Sequence, residues 1–206
     1  MKLQRRLRGL YAITPDAGDS AALFAKVSAA LEGGIALLQY RRKTTEAEMR
    51  RVEAIELAKL CRQRGVPFIV NDDARLAAEA GADGVHVGRD DDSVSGCRRT
   101  LPGKIVGASC YDRMELAEAA VRQGADYVAF GSVFASPTKP AAVRAPLELL
   151  AQARRLGVPV AAIGGITLDN APQAIEAGAD LLAVLSDLFE APDIAQRARQ
   201  YVKLFA

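Results

Sequence analysis

The sequence contains no tryptophan, and aromatic residues make up only 5% of its 206 residues. Because half of the residues are hydrophobic, the core must be built mainly from Ala, Val, Leu and Ile, as is common in α/β proteins with buried parallel strands. The three cysteines, Cys61, Cys97 and Cys110, form neither an even set nor a CxxC pair. This spacing argues against a disulfide framework and a zinc site, and a reducing cytoplasm is the simplest location.

The sequence also lacks a strong excess of charge and any long apolar run. A formal net charge of +2 is too small to predict nucleic-acid binding, and the basic residues near the start are interpreted as a solvated leader. No apolar run approaches the roughly 20 residues that span a bilayer, and the N-terminus lacks an apolar signal segment with a cleavage site. We therefore expect a soluble, cytoplasmic protein with no nucleic-acid or membrane partner. The sequence does not decide between a monomer and a homo-oligomer.

Short apolar or β-branched runs alternate with longer, Ala-rich stretches of helical period, which is typical of parallel βαβ units. Eight strands are predicted, at residues 9–14, 36–40, 66–70, 84–87, 104–108, 127–131, 158–163 and 181–185. The clearest helical patterns cover residues 45–64, 113–123, 147–156, 169–177 and 194–204. Eight such units predict one (β/α)₈ barrel domain over residues 1–206, an α/β fold known as the TIM barrel. An open doubly wound sheet is the alternative, but the turn after the first strand, TPDAG, contains no GxGxxG.

The tripeptide Gly-Ala-Asp precedes three of the predicted strands, and Gly-Val-Pro precedes two others. Glycine directly after a helix is the usual residue for a left-handed C-terminal turn. We interpret these repeats as helix-to-strand turns at the bottom of the barrel, with a structural role. Their uneven spacing argues against a solenoid.

The candidate site lies at the C-terminal ends of the strands, where TIM barrels carry their chemistry. Alternation of side chains places Gln39, Arg41 and Lys43 on one side after the second strand. Acids follow the third and fourth strands, whereas hydroxyls, a lysine and glycines follow the later ones. These further residues are Asn71, Asp72, Asp90, Asp91, Asp92, Ser109, Ser136, Thr138, Lys139, Gly164, Gly165 and Ser186.

This combination of residues suits a phosphorylated ligand together with a metal. Mg²⁺ prefers one or two carboxylates and completes its shell with water and phosphate oxygens, so Asp72 and one acid of residues 90–92 can supply its ligands. Asp73 directly precedes a helical pattern and is interpreted as its N-cap. We predict a metal-assisted diphosphate station near strands two to six, and a metal-free monophosphate station at Gly165 and Ser186.

Five segments of the chain, in order, resemble the signature segments of the thiamine-phosphate synthase family. They read LLQYRRK, FIVNDDARLAAEAGADGVHVGRDD, KIVGASCYD, GADYVAFGSVFASPTKP and VPVAAIGGITLDNAPQAIEAGAD. The resemblance implies a TIM barrel that joins 4-amino-2-methyl-5-hydroxymethylpyrimidine diphosphate to 4-methyl-5-(2-phosphoethyl)thiazole. The products are diphosphate and thiamine phosphate. Two departures occur: Arg89 stands where the family commonly has Gln, and Ser136 where Thr is frequent.

The resemblance also assigns roles by position. It implies that the pyrimidine diphosphate is contacted by Gln39, Arg41, Lys43, Asn71, Ser109 and Lys139. It implies that Asp72 and Asp91 hold Mg²⁺, and that the thiazole phosphate is faced by Ser136, Thr138, Gly165, Leu185 and Ser186. Of these residues, Arg41, Lys43, Ser109 and Lys139 are expected to be catalytic. Arg89 is expected to point outward, and His86 is interpreted as a packed, hydrogen-bonded barrel residue.

The expected mechanism is a dissociative displacement in which diphosphate leaves an electron-rich aminopyrimidine. It needs no enzyme nucleophile, because Mg²⁺ and three cations can neutralise the leaving group. Two alternatives remain at this point. A thiazole tautomerase of the same barrel lacks the acid after the Asn and uses a His two residues beyond the strand-five Ser, where this chain has Asp72 and Tyr111. A non-catalytic protein that binds the thiazole or the product would not need both metal acids.

Overall fold

Each of the eight strands in the described part of the chain is followed by an α-helix, and the last strand by two. A computed structural model describes residues 7–16, 19–42, 46–135 and 143–206. The strands are β1 (Gly9–Ile13), β2 (Leu37–Tyr40), β3 (Phe68–Asn71), β4 (Gly84–Val87), β5 (Ile105–Tyr111), β6 (Tyr127–Phe130), β7 (Val160–Ile163) and β8 (Leu181–Val184). The α-helices are α1 (Ser20–Glu32), α2 (Ala47–Arg64), α3 (Ala74–Glu79), α4 (Val94–Thr100), α5 (Met114–Arg122), α6 (Glu148–Ala153), α7 (Ala171–Glu176), α8 (Ser186–Phe189) and α9 (Ile194–Lys203), with a 3₁₀ helix at Arg154–Leu156.

The eight strands form one closed parallel barrel. Each strand pairs with the next in chain order, and β8 pairs with β1 through residues such as Ala183 and Tyr11. This closure confirms the predicted TIM barrel and excludes the open doubly wound sheet. β5 extends three residues beyond its predicted end at Ala108, because Tyr111 still pairs with Phe130 of β6 after a register shift between Ser109 and Tyr111. β3 also runs one residue further than predicted, to Asn71.

The core has two layers, because successive side chains of a strand point to opposite faces of the barrel wall. The larger layer packs the outward-facing strand residues against the helices. The smaller layer fills the barrel interior and includes Tyr11, Leu37, Ile69, Tyr127 and Leu181. The Tyr11 and Tyr127 rings meet edge to face, with their centroids 5.9 Å apart. The interior therefore contains phenol groups that need hydrogen-bond partners.

The Gly-Ala-Asp repeats are helix-to-strand turns, as predicted. Gly81, for example, has a φ of 66°, a left-handed conformation that glycine adopts without steric cost. The aspartates have a role of their own, since each accepts a hydrogen bond from a backbone N–H at the start of a strand. Asp83 accepts from Phe68 at 2.9 Å, and Asp126 accepts from Val106 at 2.8 Å. The aspartates thus stabilise the bottom of the barrel, because they accept hydrogen bonds from backbone N–H groups that have no partner within the sheet.

Within the described ranges, no helix has the length and apolar character needed to cross a membrane.

Candidate active site

A cavity of about 770 Å³ opens at the C-terminal ends of the strands. Nine of the thirteen residues to which the family resemblance assigns a role line it, contributed by six of the eight βα units. They are Gln39, Arg41, Asn71, Asp72, Asp91, Ser109, Gly165, Leu185 and Ser186. The other four, Lys43, Ser136, Thr138 and Lys139, lie outside the described residues. The volume is within the range of small-molecule sites, which is about 300–1,000 Å³.

Arg41 is held at the cavity by the end of β1. The fully buried Thr14 accepts a hydrogen bond from the Arg41 N–H at 2.9 Å and donates its hydroxyl proton to the Arg41 carbonyl at 3.1 Å. The Arg41 guanidinium lies 3.8 Å from the Asp16 carboxylate, and about a quarter of each side chain is exposed. The backbone of Arg41 is thus fixed, while its charge stays near solvent and able to meet an anion.

The acids that end β3 have different roles. Asp73 is the N-cap of α3, because its carboxylate accepts a hydrogen bond from the Leu76 N–H at 2.9 Å. This confirms the sequence-based interpretation. Asp72 has a φ of 64°, and its N–H donates to the His86 carbonyl at 2.8 Å. Asp tolerates this left-handed conformation better than most residues. The turn places Asp72 on the cavity wall beside Asn71.

The loop after β4 presents Asp91 on the same wall. One oxygen of its carboxylate, Oδ2, accepts a hydrogen bond from the Gly88 N–H at 2.7 Å, which closes a short turn within the loop. Arg89 is exposed, and its guanidinium lies 4.8 Å from the centre of the Tyr111 ring. Arg89 also forms part of the cavity rim, so the expectation that it points away from the site is only partly met.

Asp72 and Asp91 fit a magnesium ion that arrives with a phosphate group. Among the described residues, no cluster of three or more His, Cys, Asp or Glu side chains forms a complete metal cage. Mg²⁺ does not need one, because it commonly uses one or two carboxylates and takes its other ligands from water and phosphate. Two carboxylates from neighbouring strand ends on one cavity wall meet that requirement.

The opposite wall is built from the ends of β7 and β8. Gly165 has a φ of 64°, and a Cβ atom there would lie 2.1 Å from the Ala135 carbonyl oxygen. Glycine is therefore required at this position by the close approach of the segment after β6. The Asn170 amide donates to the Gly165 carbonyl at 2.9 Å and holds the turn. Leu185 and Ser186 follow β8 and line the same part of the cavity.

Five polar side chains form a hydrogen-bond relay through the barrel interior. It runs from Gln39 through Tyr11, Tyr127 and His86 to Ser109, and every contact is 2.6–2.8 Å long. Burial lowers the pKa of His86 to about 4, with the Asp91 charge acting in the opposite direction, so the imidazole is neutral at pH 7. Burial also raises the pKa of both tyrosines above its usual value. His86 is thus a packed, hydrogen-bonded residue, as predicted from the sequence.

A second buried polar cluster supports the end of β2 from outside the barrel. Glu53 of α2 is fully buried and accepts hydrogen bonds from the hydroxyls of Tyr40 at 2.6 Å and Ser20 at 2.7 Å. The Arg42 guanidinium lies 3.6 Å from the same carboxylate. The cluster ties α1 and α2 to the two residues that flank Arg41 in the sequence.

Sequence analysis missed Tyr11, Thr14, Glu53 and Tyr127 as residues that support the site. One signal was available for the tyrosines, because a buried Tyr hydroxyl usually needs a polar partner. Inward-facing tyrosines on two strands should therefore have suggested a polar interior. Glu53 gave no such signal, since an acid within a long charged helix is normally solvated.

Comparisons with known proteins agree with this geometry. The family model described as thiamine monophosphate synthase matches residues 10–188. The thiamine-phosphate synthase of Aromatoleum aromaticum is 59% identical over 202 residues, which cover 97% of each chain. That of Thiobacillus denitrificans is 58% identical over 200 residues, covering 96% of this chain and 95% of the relative.

A solved structure gives the same result. Thiamine phosphate pyrophosphorylase from Pyrococcus furiosus superposes with a TM-score of 0.86 at 33% identity, and the match covers 98% of this chain and 96% of that one. Sequence, fold and the composition of the cavity all lead to one assignment. The chain belongs to the thiamine monophosphate synthase family and is a transferase of thiamine biosynthesis.

Proposed function

We propose that the chain transfers the aminopyrimidine-methyl group of hydroxymethylpyrimidine diphosphate to the ring nitrogen of hydroxyethylthiazole phosphate. Diphosphate and thiamine phosphate are the products. The observation that carries this proposal is that one and the same cavity, of about 770 Å³, is lined by nine residues that the family resemblance assigns to the two substrates and the metal. These residues are spread between positions 39 and 186 and meet only through closure of the barrel.

The diphosphate station lies on the wall formed by the ends of β2 to β5. Arg41 offers a partly exposed cation with a fixed backbone, and Ser109 offers a hydroxyl at the end of β5. Lys43 and Lys139 are proposed to add charge there, although both lie outside the described residues. Fixed donors and cations at the leaving group stabilise charge that develops in the transition state.

Asp72 and Asp91 are proposed to hold Mg²⁺ at this station. When bound, Mg²⁺ would neutralise negative charge on the diphosphate oxygens. The chain's own residues supply the rest of the environment, since Gln39 and Asn71 line the cavity on the neighbouring strands β2 and β3, and the pyrimidine ring is proposed to lie against them.

The proposed reaction breaks the bond between the methylene carbon and the diphosphate oxygen, and the electron pair leaves with diphosphate. The aminopyrimidine carries the resulting positive charge, and the lone pair of the thiazole nitrogen then forms the new carbon–nitrogen bond. The monophosphate station at Gly165, Leu185 and Ser186, with Ser136 and Thr138, is proposed to hold the thiazole in position for this attack.

The buried cysteines are consistent with a reaction that uses no enzyme nucleophile. All three are free thiols in the interior, and burial raises the pKa of Cys61 and Cys110 to about 12. A thiolate is the nucleophilic form of cysteine, so these groups are unreactive at neutral pH. Their free state also supports the proposal that the enzyme works in the cytoplasm. The one closed barrel supports the proposal that residues 1–206 act as one domain.

The decisive experiment mixes purified protein with both substrates and Mg²⁺ and follows diphosphate and thiamine phosphate together. Equal amounts of the two products are expected, and EDTA should stop both until Mg²⁺ is restored. A tautomerase would instead exchange a thiazole proton without any diphosphate substrate, and a binding protein would retain the thiazole phosphate without turnover. Full activity in EDTA would refute the metal assignment of Asp72 and Asp91.

A further inference from the structure

The hydrogen-bond relay joins Gln39 and Ser109 through three buried side chains, of which Tyr11 and His86 also line the cavity and Tyr127 does not. Gln39 Nε2 donates to Tyr11 Oη at 2.6 Å, and Tyr11 Oη lies 2.8 Å from Tyr127 Oη. Tyr127 Oη lies 2.8 Å from His86 Nδ1, and His86 Nε2 lies 2.8 Å from Ser109 Oγ. Gln39 and Ser109 line the cavity at the two ends, whereas Tyr127 is fully buried and is not among the cavity residues.

The proton positions along the relay are linked. An amide nitrogen can only donate, so Tyr11 Oη accepts from Gln39 and turns its own proton toward Tyr127. Tyr127 then turns its proton toward His86 Nδ1. Neutral imidazole has one N–H, which must therefore be on Nε2, and this group donates to Ser109 Oγ. The remaining hydroxyl proton of Ser109 is directed away from His86, toward the cavity.

The two ends of the relay are coupled through these proton positions. If the Gln39 amide were turned over, its oxygen would accept from Tyr11, and every proton in the relay would have to reverse. Ser109 would then donate to His86 and present only lone pairs to the cavity. Lone pairs repel a phosphate oxygen, whereas a hydroxyl proton binds it. The orientation of one amide thus determines whether Ser109 is a donor to the ligand.

We propose that Tyr11, Tyr127 and His86 are positioning residues that hold the Gln39 amide and the Ser109 hydroxyl in one matched orientation. Gln39 presents its oxygen and its second N–H to the aminopyrimidine, and Ser109 presents its proton to an anionic oxygen of the diphosphate. This inference rests on the proposed function for the identity of the two ligand groups. The hydrogen-bond direction itself does not depend on that function.

The histidine tautomer tests the relay without any substrate. His86 is the sole histidine of the chain, so protein labelled with ¹⁵N-histidine gives one imidazole spin system at pH 7. Long-range ¹H–¹⁵N correlations distinguish the two ring nitrogens. The expected result is a proton on Nε2 and an unprotonated Nδ1 that accepts a hydrogen bond. A proton on Nδ1 in the ligand-free protein would overturn the proposed direction, even if the enzyme proved to be a thiamine-phosphate synthase.

The kinetic test removes the centre of the relay and leaves the cavity wall unchanged. Tyr127→Phe keeps the ring and deletes the hydroxyl, so His86 Nδ1 loses its donor. Turnover is expected to fall by roughly tenfold, the effect of losing about one net hydrogen bond in the transition state. KM for the thiazole phosphate should stay within about twofold, because the monophosphate station is on the opposite wall. The single-tautomer NMR signature should also be lost.

Val128→Ala is the matched control. Val128 is the next residue on β6, is fully buried, and packs in the outer layer away from the relay. The variant loses buried packing but no hydrogen bond, so turnover below its unfolding temperature should stay within about twofold of the parent. Turnover of Tyr127→Phe equal to that of Val128→Ala would overturn the proposal. If Tyr127→Phe does not fold, the His86 tautomer of the unaltered protein still tests the proposed direction of the hydrogen bonds.

Discussion

The hydroxyl of Thr14 makes two hydrogen bonds to the backbone of Arg41, accepting from its N–H at 2.9 Å and donating to its carbonyl at 3.1 Å. The pairing of β1 with β2 ends at this point, since the Thr14 N–H donates to the Gln39 carbonyl at 3.0 Å. Beyond the last backbone pair of the two strands, the buried Thr14 hydroxyl therefore supplies the hydrogen bonds that hold the backbone of Arg41 in place.

Replacing Thr14 by Val keeps the shape of the side chain and removes both hydrogen bonds. Because the Arg41 N–H and carbonyl lose a buried partner, the free energy of unfolding should fall by about 1–3 kcal/mol, measured by urea denaturation. Arg41 should also become less well placed, raising KM for the pyrimidine diphosphate about fivefold or more. Thr14→Ser keeps the hydroxyl, so its KM for the pyrimidine diphosphate should stay within about twofold of that of the parent. If Thr14→Val and Thr14→Ser raised KM equally, the position of Arg41 would depend on side-chain packing at residue 14 and not on the hydroxyl.

Glu53 offers a test of the cluster that supports β2 from outside. Glu53→Leu leaves the Tyr40 and Ser20 hydroxyls without their acceptor and Arg42 beside an apolar group. We expect the free energy of unfolding to fall by about 3 kcal/mol, which is the lower end of the range for breaking a buried ionic contact. Glu53→Gln retains an oxygen that can accept from one hydroxyl and should cost clearly less. Thermal denaturation of the two variants measures the difference, and a Leu variant as stable as the parent would contradict it.

Much of the fold could be predicted because its signals are local. The alternation of apolar runs with helical stretches gave all eight strands, and Asp73 could be identified as a cap from the helical pattern that follows it. The predicted ends were less accurate, as at β5, where a register shift after Ser109 extends the strand to Tyr111. Residues on either side of such a shift carry no distinctive composition.

The supporting residues could not be predicted because they depend on contacts between distant positions. Tyr11 and Tyr127 are separated by 116 positions, and their hydroxyls meet only when the barrel closes. Glu53 lies in a charged helix, and its burial depends on how α1 packs beside α2. The cavity residues themselves were accessible to sequence analysis, since position after a strand already determines which end of the barrel they occupy. Their roles toward the substrates stay predictions.

The low pKa of His86 predicts a specific dependence of stability on pH. The folded protein takes up this proton only near pH 4, whereas an unfolded chain does so near pH 6.5. The contribution of neutral His86 to the free energy of unfolding is therefore fully present above about pH 6.5, and it is lost as the pH falls toward 4. Between pH 7 and pH 5 the loss should be about 2 kcal/mol. Urea denaturation at pH 7 and pH 5 measures it, and His86→Gln should lack this part of the slope. Identical slopes in the two proteins would show that His86 is not buried in its neutral form.

The choice of Asp91 as the metal ligand among three consecutive acids gives the sharpest test of the site. Asp91→Asn removes the charge but keeps an oxygen that can still accept from the Gly88 N–H, so the loop should retain its turn. Turnover should fall by about 10² or more, in line with the loss of a few kcal/mol of electrostatic stabilisation. The Mg²⁺ concentration needed for half-maximal activity should rise.

Asp90 and Asp92 provide matched controls, because both are exposed acids of the same loop. Asp90→Asn and Asp92→Asn should each change turnover by less than about fivefold, since exposed charges usually contribute little. Measuring turnover against Mg²⁺ concentration for all three variants separates metal affinity from loop stability. If Asp90→Asn were the crippling change and Asp91→Asn stayed active, the metal ligand would be one residue earlier. Asp91 would then serve only to close the turn with Gly88.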